Sequence, residues 1–283
     1  MKRILTLAAL VFAISCFGQE DCELSYDGNG DGIVSAADLI GLLAEFGSEC
    51  LPDTTFDCGE TLEYQGYGYA TVLVGAQCWF VENLRADSYS NGEPISTNLT
   101  DEEWSNTVQG ACSVFGSAGS VCNSYEVDGV EACESNENLE AYGLLYNWPA
   151  VADERGLCPV NWHVPTELDW QALELELGMD PSELELIAWR GTDQGIQIKS
   201  QQGWFSEGFG TNSSGFTGEP GGRRRGDTGE FDTAGYSGWW WTSSEASDST
   251  AYWRYVDALH DRIWRQQLHK RNGMSIRCIQ DSE

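Results

Sequence analysis

Basic residues are scarce in this chain of 283 residues: Lys and Arg number 15 against 45 Asp and Glu, for a net charge of -30. They are also unevenly placed. Between Ile4 and Glu154 the sequence has 26 acids and a single base, Arg85, whereas from Arg155 onward 12 bases face 19 acids. A front half of that kind repels nucleic acid and anionic membrane surfaces. Histidine is scarcer still, with only His163, His260 and His269, and none lies in an HExxH run or in a Cys/His spacing that suits zinc. GxSxG nucleophile elbows and GxxxxGK[ST] phosphate loops are lacking too, so no catalytic signature is legible. Past the first residues, no apolar run is long enough to cross a bilayer.

The early apolar run has a different meaning. Lys2 and Arg3 precede Ile4–Phe17, a segment too short to span, so residues 1–19 read as a secretory signal peptide. Ala13-Ile14-Ser15-Cys16 resembles a lipoprotein box with Ala where Leu is usual, which leaves a lipid anchor at Cys16 as the alternative to cleavage just beyond it. Ten cysteines in an exported chain point to disulfides rather than metal. The expected pairs are Cys22 with Cys50, Cys58 with Cys78, and Cys158 with Cys278. The last closes a loop long enough for chain entropy alone to contribute about 5 kcal/mol. One of Cys112, Cys122 and Cys133 is then left unpaired or joins another chain.

After the signal stands DGNGDGIVSAAD. Asp27, Asn29 and Asp31 occupy alternate positions, Gly32 permits the sharp turn, Ile33 offers a carbonyl, and Ser35 and Asp38 complete a calcium loop. Hard Ca²⁺ takes six to eight oxygens, and this spacing wraps them around one ion. Leu39, Leu42, Leu43 and Phe46 follow at helical spacing, with Gly47 as the stop. The unit resembles one repeat of a type I dockerin, including Asp at the last ligand position. Dockerins carry two such repeats and this chain has one, so a cohesin-type partner is not expected. Residues 20–50 are read instead as a small calcium-stiffened module, with Cys22 and Cys50 as a clamp in place of the second repeat.

Residues 51–57 read as a linker, and residues 58–283 as the main domain. Ala70–Val74 and Cys78–Val81 alternate as a hairpin around Gly75-Ala76-Gln77. From Asp87 to Asn138 the pattern dissolves into Ser, Asn, Gly and acids, as an inserted loop region would. Thr166 and Asp169 form a capping box before a helix with Trp170, Leu173 and Leu177 on one face, and Asp180-Pro181 opens a second helix as far as about Ala188. Strands are expected at Trp239–Thr242, Ala251–Asp257 and Met274–Ile279. Alternation puts Trp253 and Tyr255 on one face and Arg254 and Val256 on the other.

The ordered runs QCWFVENLR, YGLLYNWPAV, GLCPVNWHVPTELDW, WRGTDQGIQIKS, GFTGEPGGRR, GWWWTSSE, YWRYVD and GMSIRCIQD resemble the Fibrobacter succinogenes major paralogous domain family. That family is similar to the C-type-lectin-like superfamily. The resemblance implies an α+β fold with small antiparallel sheets, two helices and long disulfide-stapled loops. It implies no activity.

Calcium-dependent lectins hold sugar through Glu-Pro-Asn or Gln-Pro-Asp and a Trp-Asn-Asp strand. Here Glu219-Pro220-Gly221 lacks the amide and Trp241-Thr242-Ser243 replaces the strand motif. The remaining ligand-binding candidates are Trp240, one of three tryptophans alternating across a strand, and Arg223, Arg224 and Arg225, whose guanidinium forks suit carboxylate or sulfate. The blander reading packs the tryptophans in the core and pairs the arginines with Glu219, Asp227 and Glu230. Arg254, Arg262, Arg265, Lys270, Arg271 and Arg277 are expected to neutralise the acidic front half, and His163 to be a packing residue. The expectation is an exported or surface binding protein for a glycan or a surface protein, with calcium as its one cofactor. The runner-up is an accessory component or cryptic glycoside hydrolase of polysaccharide degradation.

Overall fold

The computed structural model describes residues 56–127, 131–134 and 136–282. The segment expected as a signal peptide, the expected linker as far as Thr55, Cys22, Cys50 and the calcium-loop candidates Asp27, Asn29, Asp31, Ile33, Ser35 and Asp38 lie outside the described residues.

In chain order the first half has β1 (Thr61–Tyr64), β2 (Tyr67–Val74), β3 (Gln77–Phe80), α1 (Asp101–Asn106), β4 (Cys112–Val114), β5 (Cys122–Ser124), α2 (Asn138–Tyr142), β6 (Leu144–Asn147), α3 (Trp148–Val151) and β7 (Trp162–His163). The second half has α4 (Glu167–Glu176), β8 (Ala188–Arg190), α5 (Gln194–Ile198), β9 (Gly221–Arg224), β10 (Phe231–Ala234), β11 (Ser237–Glu245), β12 (Thr250–Asp257), β13 (Ile263–His269), β14 (Gly273–Met274) and β15 (Ile279–Gln280). Three sheets result, in strand order β1-β2-β3-β15-β7, β4-β6-β14-β9-β10-β5 and β11-β12-β13-β8. The described part is therefore mostly β with few, short helices, and its small, largely antiparallel sheets and disulfides are those expected.

The hairpin β2–β3 turns at Gly75-Ala76, with Val74 opposite Gln77. Helix α4 starts where the capping box places it: Asp169 N donates to Thr166 Oγ1 at 3.2 Å and Thr166 N donates back to Asp169 Oδ2 at 2.8 Å. Trp170 and Leu173 are fully buried on its inner face. The second helix is not there. Pro181–Glu183 makes one 3₁₀ turn and the chain then enters strand β8. Arginines intercept the carbonyls a continuing helix would use: Arg190 Nη1 donates to Leu184 O at 2.8 Å and Arg265 Nη1 to Glu185 O at 2.7 Å.

Residues 87–138 are not an insertion. They supply β4 and β5 to the six-stranded sheet, and Trp104 of α1 is wholly buried, its indole donating to Arg271 O at 3.0 Å. The region meets the loop before β10 so closely that a Cβ on Gly229, whose φ is +81°, would lie 2.2 Å from Asp101 O. Strand β13 was not foreseen from the sequence. Its inward positions include Arg265, which alternation reads as polar.

That arginine belongs to the most buried polar cluster in the described chain. Two carboxylates of α4 reach the inner face of the β11-β12-β13-β8 sheet. Glu174 accepts from Arg190 Nη2 at 2.6 Å and from Arg254 Nε at 2.6 Å. Glu167 accepts from Arg254 Nη1 at 2.5 Å and from Arg265 Nε at 2.6 Å. Glu174, Arg190 and Arg254 have no side-chain exposure. Of the bases expected to neutralise the acidic front, Arg254 and Arg265 are thus committed to Glu167 and Glu174 instead, whereas Arg155 does pair with Glu93 of the front half. Lys270 pairs with Glu245, Arg271 donates to Ser105 O, and Arg277 donates to the carbonyls of Phe80, Phe216 and Thr217.

Disulfides join Cys58 to Cys78 and Cys158 to Cys278, both as expected, and also Cys122 to Cys133. Cys112 is the unpaired member of its trio, a buried thiol that burial pushes well above the usual range. Cys158–Cys278 fixes the last strand, β15, which lies between β3 and β7. His163 is not simply packed. Its ring nitrogens lie 3.2 Å from Asp169 Oδ2 and 2.6 Å from Asp281 Oδ1, and the Asp169 hydrogen bond leads in raising its pKa.

Replacing Glu174 with Ala leaves Arg190 and Arg254 without their shared buried partner. It is expected to cost about 3–5 kcal/mol in urea-induced unfolding, the range for breaking a buried ion pair, with Glu174→Gln costing less because the amide oxygen still accepts.

Candidate functional site

The four-stranded sheet has two faces of different character. On the inner face, Trp240, Arg254, Val256, Ile263 and Arg265 turn toward α4 and are buried. Trp240 is the tryptophan singled out from the sequence, and the structure withdraws it as a ligand platform. Its ring lies beside Trp170 and Phe216, its Nε1 donates to Asn83 Oδ1 at 2.9 Å, and none of its surface is exposed.

The other face carries the alternate residues. At one end it is closed by the core: Trp241, Ala251 and Trp253 are buried among Tyr146, Trp148 and Met274. At the other end it opens. There Trp239 of β11 stands directly opposite Tyr255 of β12, Tyr255 opposite Trp264 of β13, and Trp264 opposite Trp189 of β8. All four keep part of their surface in solvent. Strict register makes this a straight row of aromatics perpendicular to the strands. Three interstrand gaps of about 4.8 Å give it a length of roughly 14 Å.

The row is held rigidly. Trp239 stacks on Trp253 with ring centroids 4.5 Å apart and meets Tyr255 edge-on at 4.6 Å. Trp189 lies 5.2 Å from Trp264 at an interplanar angle of 88° and 5.6 Å from Tyr255. His260 stacks on Trp189 at 4.1 Å. Buried Asp257 gathers the far end: it accepts from Tyr255 Oη at 3.0 Å and from the backbone of Leu259 and His260 at 2.9 Å, and His260 Nδ1 lies 2.9 Å from it. Burial, followed by the charge of Asp257, raises the Tyr255 phenol well above its ordinary range, so it stays a neutral donor. Trp253 Nε1 is buried with no hydrogen-bond partner among the described residues.

At the near end the row meets the arginine run. Arg223 lies over the Trp239 ring, its guanidinium carbon 4.5 Å from the centroid, and forks onto Asp232 at 2.9 and 3.2 Å. Arg225 forks onto Asp227 at 3.1 and 2.9 Å. Arg224 is a different case. It is fully buried between Trp104 and Phe231, donates to Gly229 O and Leu99 O, and burial lowers its pKa to about 10. It is closed to ligand and holds the front-half loops to β9. Of the pairings expected with Glu219, Asp227 and Glu230, the one with Asp227 is present as an ion pair to Arg225, while Arg223 pairs instead with Asp232. Burial pushes Glu219 up to about 7, and it accepts from Ser200 Oγ at 3.0 Å.

Residues 72–280 match the Fibrobacter succinogenes major domain. The chain belongs to that family. Within this Fibrobacter succinogenes major domain lie the whole aromatic row and all three arginines, whereas β1 and Cys58 precede the matched segment although they are tied to it by pairing and disulfide. No curated protein and no solved structure matches the chain. No group of His, Cys, Asp and Glu among the described residues could hold a metal ion.

Sequence reading brought Arg223 and Arg225 to the right place and missed Trp189, Trp239, Tyr255 and Trp264 as a set. Period-two alternation in YWRYVD and in Ile263–His269 was the available signal, but pairing across four strands is set by register, which a single strand does not show. Acrylamide quenching of intrinsic fluorescence checks the assignment of faces. Trp264→Phe is expected to remove part of the quenchable emission, and Trp240→Phe to leave the quenchable emission unchanged.

Proposed function

We propose that this chain is an exported, non-enzymatic glycan-binding protein: a C-type-lectin-like domain that captures sugar on its aromatic row, preceded by a single dockerin-like calcium module. The observation that carries the reading is the straight, partly exposed file Trp239, Tyr255, Trp264 and Trp189. Flat aromatic faces stack on the C–H faces of pyranose rings, and a row of them suits a chain of sugars better than a single one. Export is supported by the signal-like start and by three disulfides among the described residues. A lipid anchor at Cys16 would keep the same domain at the cell surface. No described helix is long and apolar enough to cross a membrane. The partner is an extracellular glycan, with a surface protein as the alternative outcome.

The lectin-like assignment draws on the motif order and on the disulfide from the middle of the chain to its last strand. Sugar capture in this reading needs no calcium, since Glu219 is mostly buried and Gly221 supplies no amide ligand. Calcium belongs to the front module, through Asp27, Asn29, Asp31, Ile33, Ser35 and Asp38.

On a glycan array the purified protein is expected to bind polysaccharides equally well with and without EDTA. Trp264→Ala is expected to weaken that binding about tenfold, the ~1.4 kcal/mol of one lost stacking contact. Release of reducing sugar from any polymer would replace this reading with the degradative one, and capture of proteins alone would replace it with protein recognition.

Calorimetric titration of the apo protein with Ca²⁺ is expected to show one site with Kd on the order of 10⁻⁴ to 10⁻³ M, as for extracellular modules, and Asp31→Ala is expected to abolish it.

A further inference from the structure

The arginines beside the aromatic row form more than an edge. Arg223, Arg225 and Arg271 converge with Leu268, His269 and Asn272 on a cavity of about 300 Å³. Arg223 both lines the cavity and lies over the Trp239 ring, so cavity and row meet at that residue. Resting on the glycan-binding reading above, we propose that this cavity is an oxyanion subsite and that the ligand is an acidic glycan, held by its uronate carboxylates or sulfate esters while neighbouring sugars stack on Trp239 and Tyr255.

Four observations support the assignment. First, three guanidiniums gather here in a protein whose net charge is -30 and whose front half has one base between Ile4 and Glu154. Local charge of this sign runs against the whole surface, where a polyanion would otherwise be repelled. Second, the carboxylates present orient the arginines without using up their donors. Asp232 takes Nε and Nη2 of Arg223, leaving Nη1 without a hydrogen-bond partner among the described residues. Asp227 takes Nε and Nη2 of Arg225, whose Nη1 reaches no closer than 4.0 Å to Asp232. Arg271 spends Nη1 on Ser105 O, which anchors it and leaves Nε and Nη2 without a hydrogen-bond partner among the described residues. Each group is a preset fork with a spare N–H, the arrangement that recognises a two- or three-oxygen anion at little entropic cost. Third, His269 lies in the cavity wall and takes the backbone N–H of Arg271 on Nδ1 at 3.2 Å. Burial, and then the charges of Arg271 and Lys270, lower its pKa. Fourth, Asp227 is the one carboxylate in the wall, and it is paired.

The test measures retention in affinity electrophoresis against three polymers: polygalacturonate, chondroitin sulfate and neutral dextran. Wild type is compared with Arg225→Gln, Arg271→Gln and Arg262→Gln. Arg262 is exposed and outside the cavity, so its substitution removes the same charge elsewhere. Retention by at least one acidic polymer is expected to exceed that by dextran about tenfold or more, to fall about tenfold in Arg225→Gln and Arg271→Gln with unchanged melting temperature, and to be unaffected in Arg262→Gln. Preference for polygalacturonate assigns the anion as carboxylate, and preference for chondroitin sulfate as sulfate. Equal retention by all three polymers, or equal loss in all three variants, overturns the oxyanion subsite and leaves the aromatic row standing. Retention by none of the polymers overturns both.

Discussion

Arginine can be taken out of water only where acceptors follow it, and beneath the four-stranded sheet of this domain those acceptors are carboxylates. Glu167 and Glu174 project from one helix seven residues apart in sequence, two turns along the same face, and between them meet Arg190, Arg254 and Arg265 from three neighbouring strands. Five charged groups share one interior, so the helix can sit in one position on the sheet and no other. Apolar packing alone would tolerate a slide by a residue or a turn. A bidentate ion pair would not. The network also ends the preceding helix, by drawing off the carbonyls of Leu184 and Glu185, and so creates strand β8 from residues whose composition suits a helix.

What this rigidity serves is visible on the opposite face of the same sheet. An aromatic row is a useful surface only if its rings keep a common plane of contact, and ring positions follow strand register. Register here is pinned from behind, since Arg190, Arg254 and Arg265 belong to the same three strands that present Trp189, Tyr255 and Trp264. One set of alternate residues is locked in the interior, and the other set is thereby placed at the exterior. The same division explains why Trp240 and Trp239, adjacent in sequence, have opposite fates.

Much of this could be read in advance where the signal is local. The β2–β3 hairpin and the capping box of Thr166 and Asp169 follow from neighbours a few residues apart, and two of the disulfides were also expected. The failures share a cause. Strand β13 has arginine at an inward position, and hydrophobic patterning cannot recognise a buried charge whose partner lies 98 residues away. Residues 87–138 look unstructured because their anchors are single residues, such as Trp104 and Asn138, set among Ser, Gly and acids. The binding surface was half legible: the unusual arginine run marked its place, but the choice among adjacent tryptophans needed the partner strands. For the calcium loop the reading still rests on ligand spacing.

The threading of β15 between β3 and β7 has a consequence for the order in which the molecule can be built. The two neighbours of that strand are made about two hundred and about one hundred and twenty residues earlier, and neither can complete its hydrogen bonding until residue 280 has left the ribosome. A nascent chain of this topology stays open throughout synthesis, with its slowest loop closure postponed to the end.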